Sequence, residues 1–292
     1  MFAQEQYGFR KGKNVNRAIF DFIKVIITNV DKRVPTSAVY MDMSKAFDRV
    51  KHAKLLNKLE KYGIRGLPLE LIKSYLSQRK QCTEVKGINK NTKCEELFRS
   101  NYCDVNRGVP QVSVLGPLLF LIYINDITKS TIHPMTLFAD DSTVICNDKS
   151  KCNLEIKIWN TLASVTDWLK NNDLQINLKK TKLMNFRQQD GEDVLEVKYN
   201  GHILKEINNT IFLGINIDKK LKWKNQIEDV CNRLSQYSYM LRKLARISNQ
   251  KTLLIAYHSY VASTLRYGII FWGNSTDRET AFRAQKRCTY KS

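Results

Sequence analysis

The sequence has little of what zinc sites and disulfide frameworks are built from. It contains only four histidines in 292 residues, and they are too scattered to propose as ligands: His52, His133, His202 and His258. The seven cysteines are an odd number and include no Cys-x-x-Cys pair. We therefore predict neither a zinc site nor disulfides, and we expect reduced thiols in a reducing compartment.

Long apolar runs are also missing. No stretch reaches the length of a membrane span, and the N-terminus lacks the basic-then-apolar layout of a secretion signal. Tandem repeats and low-complexity linkers are absent. We expect an intracellular protein, in the nucleus or the cytoplasm, that is not secreted and has no membrane partner. The hydrophobic content of 43% suffices for a sizeable core in one or two domains.

Acidic residues are few compared with basic ones. The chain has 48 lysines and arginines against 28 acids, a formal net charge of +20 and an isoelectric point near 9.6. Such an excess is typical of proteins that bind nucleic acid, because fixed positive charge attracts phosphates. The basic residues are dispersed, which favours a broad channel over a basic tail. Charge alone does not indicate catalysis, so a basic but inert protein remains an alternative.

Two adjacent carboxylates, Asp140 and Asp141, lie between apolar arms in the segment 137–145. The pattern predicts a hairpin whose tight turn presents both acids at one edge of a sheet, although a solvated loop tip is the alternative. A third acid, Asp42, follows a β-branched run at 36–41 that suits a buried strand. We expect Asp42 at a strand-to-helix junction, where a helix N-terminal acid is the alternative.

The segment after Asp42 predicts a helix from about Lys45 to Tyr62, capped by Ser44 and ended by Gly63. Carboxylates held on separate strands in this way can bind two divalent ions for phosphoryl transfer. Magnesium fits best, since the ligands offered are hard oxygens without histidine or cysteine beside them.

Further elements follow from the spacing of apolar residues. We predict helices over about Val114–Ile127 and Cys152–Lys170, then a short strand pair at Leu174–Asn177 and Leu183–Phe186. From about Lys222 onward the pattern is almost wholly helical.

Six blocks in series resemble the reverse transcriptase domain of a non-LTR retrotransposon of the jockey-like kind. The blocks are Gln6 to Gly12, Tyr40 to Asp48, Arg107 to Phe120, Phe138 to Asp141, Asn177 to Thr181, and Phe212 to Ile215. The resemblance implies an α+β protein of right-hand polymerase architecture. Its parts would be partial fingers at 1–36, an antiparallel-sheet palm at 37–220 with a fingers-side insertion at about 64–106, and a helical thumb and C-terminal segment at 221–292. We expect the upstream fingers strands to be missing, so that the domain is N-terminally truncated.

The implied activity is that of an RNA-directed DNA polymerase. The implied partners are an RNA template, a DNA primer, the RNA/DNA hybrid and dNTPs, with two Mg²⁺ ions as cofactors and Mn²⁺ as a possible substitute. By resemblance, Asp42, Asp140, Asp141 and the backbone carbonyl of Met43 would bind the metals. Lys180 would protonate the departing pyrophosphate, whereas a solvated basic loop is the alternative reading of this residue.

The resemblance also assigns residues to the incoming nucleotide. Phe47 matches an aromatic gate against ribonucleotides, although an aromatic at this position is equally suited to core packing. Gln111 would lie near the deoxyribose and the template base, and Arg10 would supply some charge. The family usually has glycine where this chain has Val112, and a β-branched residue opposes close backbone approach or a positive φ. This departure bears on activity more than on fold.

Two other functions remain open. A catalytically impaired nucleic-acid-binding remnant of a retroelement would also carry the basic charge and the altered Val112. A group II intron maturase-like polymerase shares the palm but fits the Phe138 to Asp141 block less well.

Overall fold

The computed structural model describes residues 2–88, 93–186 and 195–289. In chain order, the helices are α1 (Val15–Asp31), α2 (His52–Lys61), α3 (Leu67–Leu76), α4 (Leu115–Ile124), α5 (Lys151–Asn171), α6 (Lys224–Leu244), α7 (Gln250–Ala256), α8 (Ser263–Arg266), α9 (Ile269–Trp272) and α10 (Arg278–Thr289). The strands are β1 (Thr36–Met41), β2 (Lys80–Gln81), β3 (Glu84–Ile88), β4 (Glu95–Arg99), β5 (Cys103–Asp104), β6 (Met135–Phe138), β7 (Asp141–Asn147), β8 (Lys182–Phe186), β9 (Glu196–Tyr199), β10 (His202–Lys205), β11 (Asn209–Phe212) and β12 (Ile215–Asp218). The α+β class is confirmed.

A four-stranded antiparallel sheet in the order β6-β7-β1-β8 forms the centre of the molecule. The internal strand β1 pairs along its whole length with β7, from Thr36 opposite Asn147 to Met41 opposite Ser142. Five of its six residues are buried, which explains why its apolar, β-branched run predicts this strand correctly.

The two faces of this sheet bury different sets of side chains. Val39 and Met41 point to one face and join a core with α2, α4 and α5. Ala38 and Tyr40 point to the other and pack with α1, the β11–β12 hairpin and α6. Alternation along β1 therefore ties the sheet to two helical layers at once.

The helix predicted from Lys45 to Tyr62 is wrong at its start. Lys45 has a φ of +48°, a single 3₁₀ turn spans Phe47–Arg49, and α2 begins only at His52. Ser44 does not cap it, because the residue before α2 is Lys51 and makes no side-chain cap bond. The physical reason is competition for carbonyls. The amide of Val109 donates to the carbonyl of Phe47 at 2.9 Å, and that of Gly108 donates to the carbonyl of Val50 at 2.7 Å. In a continuous helix these carbonyls would instead accept hydrogen bonds from amides of the helix itself.

Other predicted elements are confirmed in part. The helix expected over Cys152–Lys170 is α5, and the strand expected at Leu183–Phe186 is β8. No strand forms over Leu174–Asn177, where Ile176 makes a single bridge to Met43. The helix expected to reach Ile127 ends at Ile124.

The remaining parts flank the sheet. On one side, α3 leads into the antiparallel pairs β2–β5 and β3–β4, which lie in the expected fingers-side insertion. At the C-terminal end α6 packs against α10, and a π-helical segment, Tyr257–Ala262, joins α7 to α8. Helices thus dominate from α6 onward, as the sequence predicts. None of the helices in the described ranges is long and apolar enough to cross a membrane.

Candidate active site

The acidic residues meet where β1 ends and β7 begins. Met41 stands opposite Ser142 in the last printed pair of the β1–β7 ladder. Continuing that register places Asp42 opposite Asp141, and opposed residues project to the same face with Cβ atoms about 4.5 to 5.5 Å apart. Asp140 is the residue just before, in the turn between β6 and β7. The fold thus joins three acids that are far apart in sequence.

The turn itself is the tight hairpin that the sequence predicts. Phe138 pairs with Asp141, so only Ala139 and Asp140 lie between the strands. Ala139 has a φ of +56°, a left-handed conformation that two-residue hairpin turns require at their first position. Asp140 and Asp141 both lie at the surface, although neighbouring atoms partly enclose the carboxyl group of Asp141.

Mutual repulsion of the acids shows in the protonation of Asp141. Its pKa is raised above the ordinary value by burial of the carboxyl group, then by the charge of Asp140, then by that of Asp42. The ammonium of Lys180 lies 3.8 Å from Asp42 Oδ2, with both side chains substantially exposed. Negative charge is therefore concentrated at this strand end and is stabilised by any cation placed beside it.

The backbone around Met43 is arranged by a short bridge. The amide of Asn177 donates to the carbonyl of Asp42 at 2.8 Å, and that of Ser44 donates to the carbonyl of Gln175 at 2.9 Å. These two bonds flank the Met43–Ile176 pair. In such a pair the carbonyl of Met43 points to the opposite side, toward the strand that carries Asp141.

A cleft of about 410 Å³ opens beside the acids. Asp42 and Asp141 form one part of its lining, and Lys179, Lys180 and Lys182 form another. The third part is the end of β11 with the turn that follows it. Carboxylates and ammonium groups thus share one open surface, as a site handling both cations and phosphates needs.

The loop 107–111 is bound to the segment after Asp42. Besides the two backbone bonds described above, Lys51 and Arg107 form a bridge, and Gln111 Nε2 donates to Asp48 Oδ1 at 2.8 Å. Gly108 has a φ of +89°, and a Cβ there would lie 2.9 Å from the backbone of Asp48. Only glycine allows this close approach. Gln111 is therefore held near the strand end that carries Asp42.

This loop borders a second cleft, of about 740 Å³. Four cationic side chains line it, against the two acids Asp48 and Asp104: Lys45, Arg79, Lys80 and Arg107. Two of them come from the segment that joins α3 to β2, so sequence order gives no sign that they meet. The positive cleft is a feature that sequence reasoning missed.

His52 is a second feature that sequence reasoning missed, since the histidines were interpreted as incidental. Its Nε2 lies 2.7 Å from the carbonyl oxygen of Gly108. The ring therefore fastens the loop to the first turn of α2. No motif signals this contact, because it depends on the late start of α2.

The remaining candidates are placed as follows. Phe47 is half-buried and stacks on Phe120, with ring centroids 4.3 Å apart. This contact fits the core-packing alternative. Val112 has a φ of +57° and is fully exposed. The Nη1 of Arg10 bonds the carbonyls of Ala3 and Gln6, at 2.5 and 3.2 Å, and so is already used within the N-terminal turn.

The donor set fits hard divalent cations, because it offers carboxylate and backbone oxygens. In the described part of the chain, no three histidine, cysteine or acidic side chains are gathered closely enough to hold a metal ion as they stand.

Comparisons with known proteins agree with this geometry. The family model described as reverse transcriptase (RNA-dependent DNA polymerase) matches residues 1–217. Among curated proteins, the probable RNA-directed DNA polymerase from transposon BS of Drosophila melanogaster is 28% identical over 92% of this chain and 30% of its own length. The RNA-directed DNA polymerase from mobile element jockey of the same species is 25% identical over 92% of this chain and 29% of its own. The chain thus spans about a third of the length of these relatives.

Solved structures show the same fold. Telomerase from Candida albicans, solved with a fragment of telomeric RNA, aligns with 98% of this chain and 52% of its own at a TM-score of 0.51 and 12% identity. The expected polymerase architecture is therefore confirmed. With the family model covering most of its residues, the chain belongs to the reverse transcriptase (RNA-dependent DNA polymerase) family.

Proposed function

We propose that this chain carries the catalytic centre of an RNA-directed DNA polymerase, which transfers a nucleotide from a dNTP to a primer 3′-hydroxyl on an RNA template. Family membership supports the reaction class. The single observation that carries the site assignment is the group formed by Asp42, Asp140 and Asp141 at adjacent strand ends, where burial of the Asp141 carboxyl group, then the charge of Asp140 and then that of Asp42 raise the pKa of Asp141. Such crowding of acids is unfavourable without a cation, and it therefore indicates a site designed to bind cations.

The proposed metal ligands are Asp42, Asp140, Asp141 and the carbonyl of Met43, for two Mg²⁺ ions or for Mn²⁺ in their place. When bound, the ions would lower the pKa of the primer hydroxyl and neutralise the pyrophosphate. The three carboxylates offer oxygen ligands from two adjacent strand ends. The carbonyl of Met43 adds one on the side that its bridge to Ile176 leaves open.

Lys180 is proposed to give a proton to the departing pyrophosphate. Its ammonium lies on the cleft beside Asp42, and Lys179 and Lys182 line the same surface. An exposed ammonium can move from Asp42 to a phosphate with little loss of contacts, because the Lys180 side chain is 69% exposed. Cations arriving at Asp42 would favour that movement.

The nucleotide is proposed to lie between the two clefts, where Gln111 and Val112 are held by loop 107–111. Phe47 is close in sequence to Asp42 and would limit the space beside the sugar. The positive cleft beyond Gln111, with Arg79, Lys80 and Arg107, suits phosphate groups of the dNTP or of the template. Arg10 is proposed to supply some charge toward the nucleotide, while its Nη1 bonds the carbonyls of Ala3 and Gln6.

The test is primer extension on poly(rA)/oligo(dT) with Mg²⁺ or Mn²⁺. The pair of substitutions Asp140→Asn and Asp141→Asn is expected to abolish incorporation. Asp167→Asn is the matched control, because this acid is exposed on α5 and forms an ion pair with the neighbouring Lys170. Incorporation that survives the paired change would remove the metal assignment.

A second candidate function is nucleic-acid binding without catalysis. The observation that favours it is Val112, whose φ of +57° is strained for a β-branched residue. Salt-dependent binding of an RNA/DNA hybrid without extension would support this function. Recovery of extension on Val112→Gly would assign the loss to that residue.

A further inference from the structure

The turn between β6 and β7 depends on support from outside the hairpin. Ala139 is buried and has a φ of +56°, a left-handed conformation that is strained for a residue with a side chain. Asp140 and Asp141 follow directly. Whatever holds Ala139 in this conformation therefore also fixes the direction of the two carboxylates.

Gln6 supplies that support from the N-terminal segment. Its side chain is 1% exposed, and its Oε1 accepts hydrogen bonds from the amides of Gly8 at 2.9 Å and Ala139 at 3.2 Å. Both neighbours are N–H donors, so the atom that faces them must be the carbonyl oxygen of the amide. One side-chain atom thus joins the N-terminal segment to the first residue of the acid turn.

The segment that carries Gln6 is firmly anchored. The amide of Tyr7 donates to the carbonyl of Leu137 at 2.8 Å, and the amide of Leu137 donates to the carbonyl of Glu5 at 2.9 Å. The hydroxyl of Tyr7 donates to Asp21 on α1 at 2.8 Å. The segment therefore lies as a short added strand along β6 and cannot shift independently of the hairpin.

Gly8 completes the contact by its lack of a side chain. A Cβ at this position would lie 2.6 Å from the amide nitrogen of Ala139, which is closer than real Cβ contacts allow. The backbone of the segment consequently packs directly against the backbone of the turn. Gln6 Oε1 and Gly8 together determine the position of Ala139.

The NH₂ group of the Gln6 side chain does not stabilise the fold. Within the described residues, Nε2 is buried and has no hydrogen-bond partner. A buried donor left unpaired destabilises the fold, and a methionine of similar length would avoid that cost. The benefit of glutamine at this position therefore comes from its carbonyl oxygen on the turn.

We propose that Gln6 is a positioning residue for the acid turn: its carbonyl oxygen keeps Ala139 left-handed and so keeps Asp140 and Asp141 beside Asp42 for divalent-cation binding. The inference rests on the proposed function for the use of the cations. It does not depend on catalysis for its test, because cation binding is measured directly.

The first measurement is a Mn²⁺ titration of the whole chain without nucleic acid. Electron paramagnetic resonance measures the concentration of free Mn²⁺ at each point. Gln6→Met is expected to weaken Mn²⁺ binding about 10-fold, the lower end of losses seen when a partner of a metal ligand is removed. Gln4→Met is the matched control, since Gln4 is exposed two residues away. It should leave the affinity unchanged.

The second measurement is rescue. Glycine adopts positive φ without strain, so Ala139→Gly in the Gln6→Met background is expected to restore most of the Mn²⁺ affinity. If Gln6 only stabilised the fold, Ala139→Gly would not restore the Mn²⁺ affinity that Gln6→Met loses. If Gln6→Met does not fold, Gly8→Ala replaces it in the test. The added Cβ would displace the amide of Ala139, so the same loss of Mn²⁺ affinity is expected.

Primer extension then separates the two proposals. For Gln6→Met the Mg²⁺ concentration at half-maximal rate should rise about 10-fold, while the Kd for template-primer stays within twofold. Wild-type chain that binds Mn²⁺ through its acids but extends no primer would refute the proposed function and leave the role of Gln6 standing. Folded Gln6→Met with wild-type Mn²⁺ affinity, or a loss that Ala139→Gly does not restore, would overturn the role of Gln6.

Discussion

Replacement of Val112 by glycine should stabilise the protein, although glycine usually weakens a fold. Val112 is 107% exposed, so its side chain has no packing to lose. Its φ of +57° costs a residue with a side chain about 1 to 2 kcal/mol. Glycine removes that strain but adds about 0.5 to 1 kcal/mol of unfolded-chain entropy. The net expected gain is about 0.5 to 1 kcal/mol, or roughly 2 °C in Tm for a chain of this size.

The assay is thermal and urea unfolding of Val112→Gly beside Val114→Gly. Val114 is 94% exposed but has a φ of −67° where α4 begins. Glycine there relieves no strain, because Val114 already has a negative φ, and it should cost about 0.5 to 1 kcal/mol in unfolded-chain entropy. The two variants therefore make the same chemical change with opposite expected signs. Equal destabilisation by both would refute the strain assigned to Val112.

Two further predictions concern the acids and the loop. The pKa of Asp141 is raised, so its ionisation favours unfolding as the pH rises past the ordinary value of 3.8. In EDTA, Asp141→Asn should therefore raise Tm at pH 7 and lose that advantage below about pH 4. Equal Tm values of this variant and the wild type at pH 7 would contradict the unfavourable surroundings of the Asp141 carboxylate. His52→Ala removes the contact with Gly108 and should raise KM for dNTP about 5-fold with little change in kcat, since one hydrogen bond is worth about 1 kcal/mol. His202→Ala is the control, because His202 is exposed. In steady-state titrations of dNTP, a change in kcat without a change in KM for His52→Ala would contradict a role of His52 in holding the loop.

The central sheet could be predicted from the sequence because its signals are local. The run at Thr36–Met41 is buried on both faces, and the largely buried arms on either side of Asp140 are joined by a two-residue turn. Periodicity likewise predicts α5, whose apolar positions face the core. These elements can be predicted because the pattern that defines each of them lies within one short stretch of consecutive residues.

The segment after Asp42 could not be predicted in the same way. Its apolar spacing favours a helix from Lys45, yet the amides of Gly108 and Val109 take the carbonyls that the helix needs. Such bonds join residues far apart in sequence, and no local pattern records them. The contact of His52 with Gly108 depends on this same pairing.

The sequence predicts a hairpin turn at Asp140 and a strand end at Asp42, and the structure shows that these lie on adjacent strands of one sheet. Their support was not predicted. Gln6 belongs to a recognisable block, but only the fold shows that its oxygen reaches Ala139. The cations of the second cleft were missed since α3 and β2 carry no motif that places them beside Gln111.

Primer extension by Asp42→Asn tests the central claim most directly, because only the fold brings Asp42 to the acid pair. Incorporation of dTTP on poly(rA)/oligo(dT) across a Mg²⁺ titration is measured for this variant, for wild type and for the control Asp167→Asn. We predict a loss of more than about 100-fold for Asp42→Asn, beyond the range expected for an outer partner of a metal site, and no loss for the control. Extension by Asp42→Asn at the wild-type rate and with unchanged Mg²⁺ dependence would contradict the account.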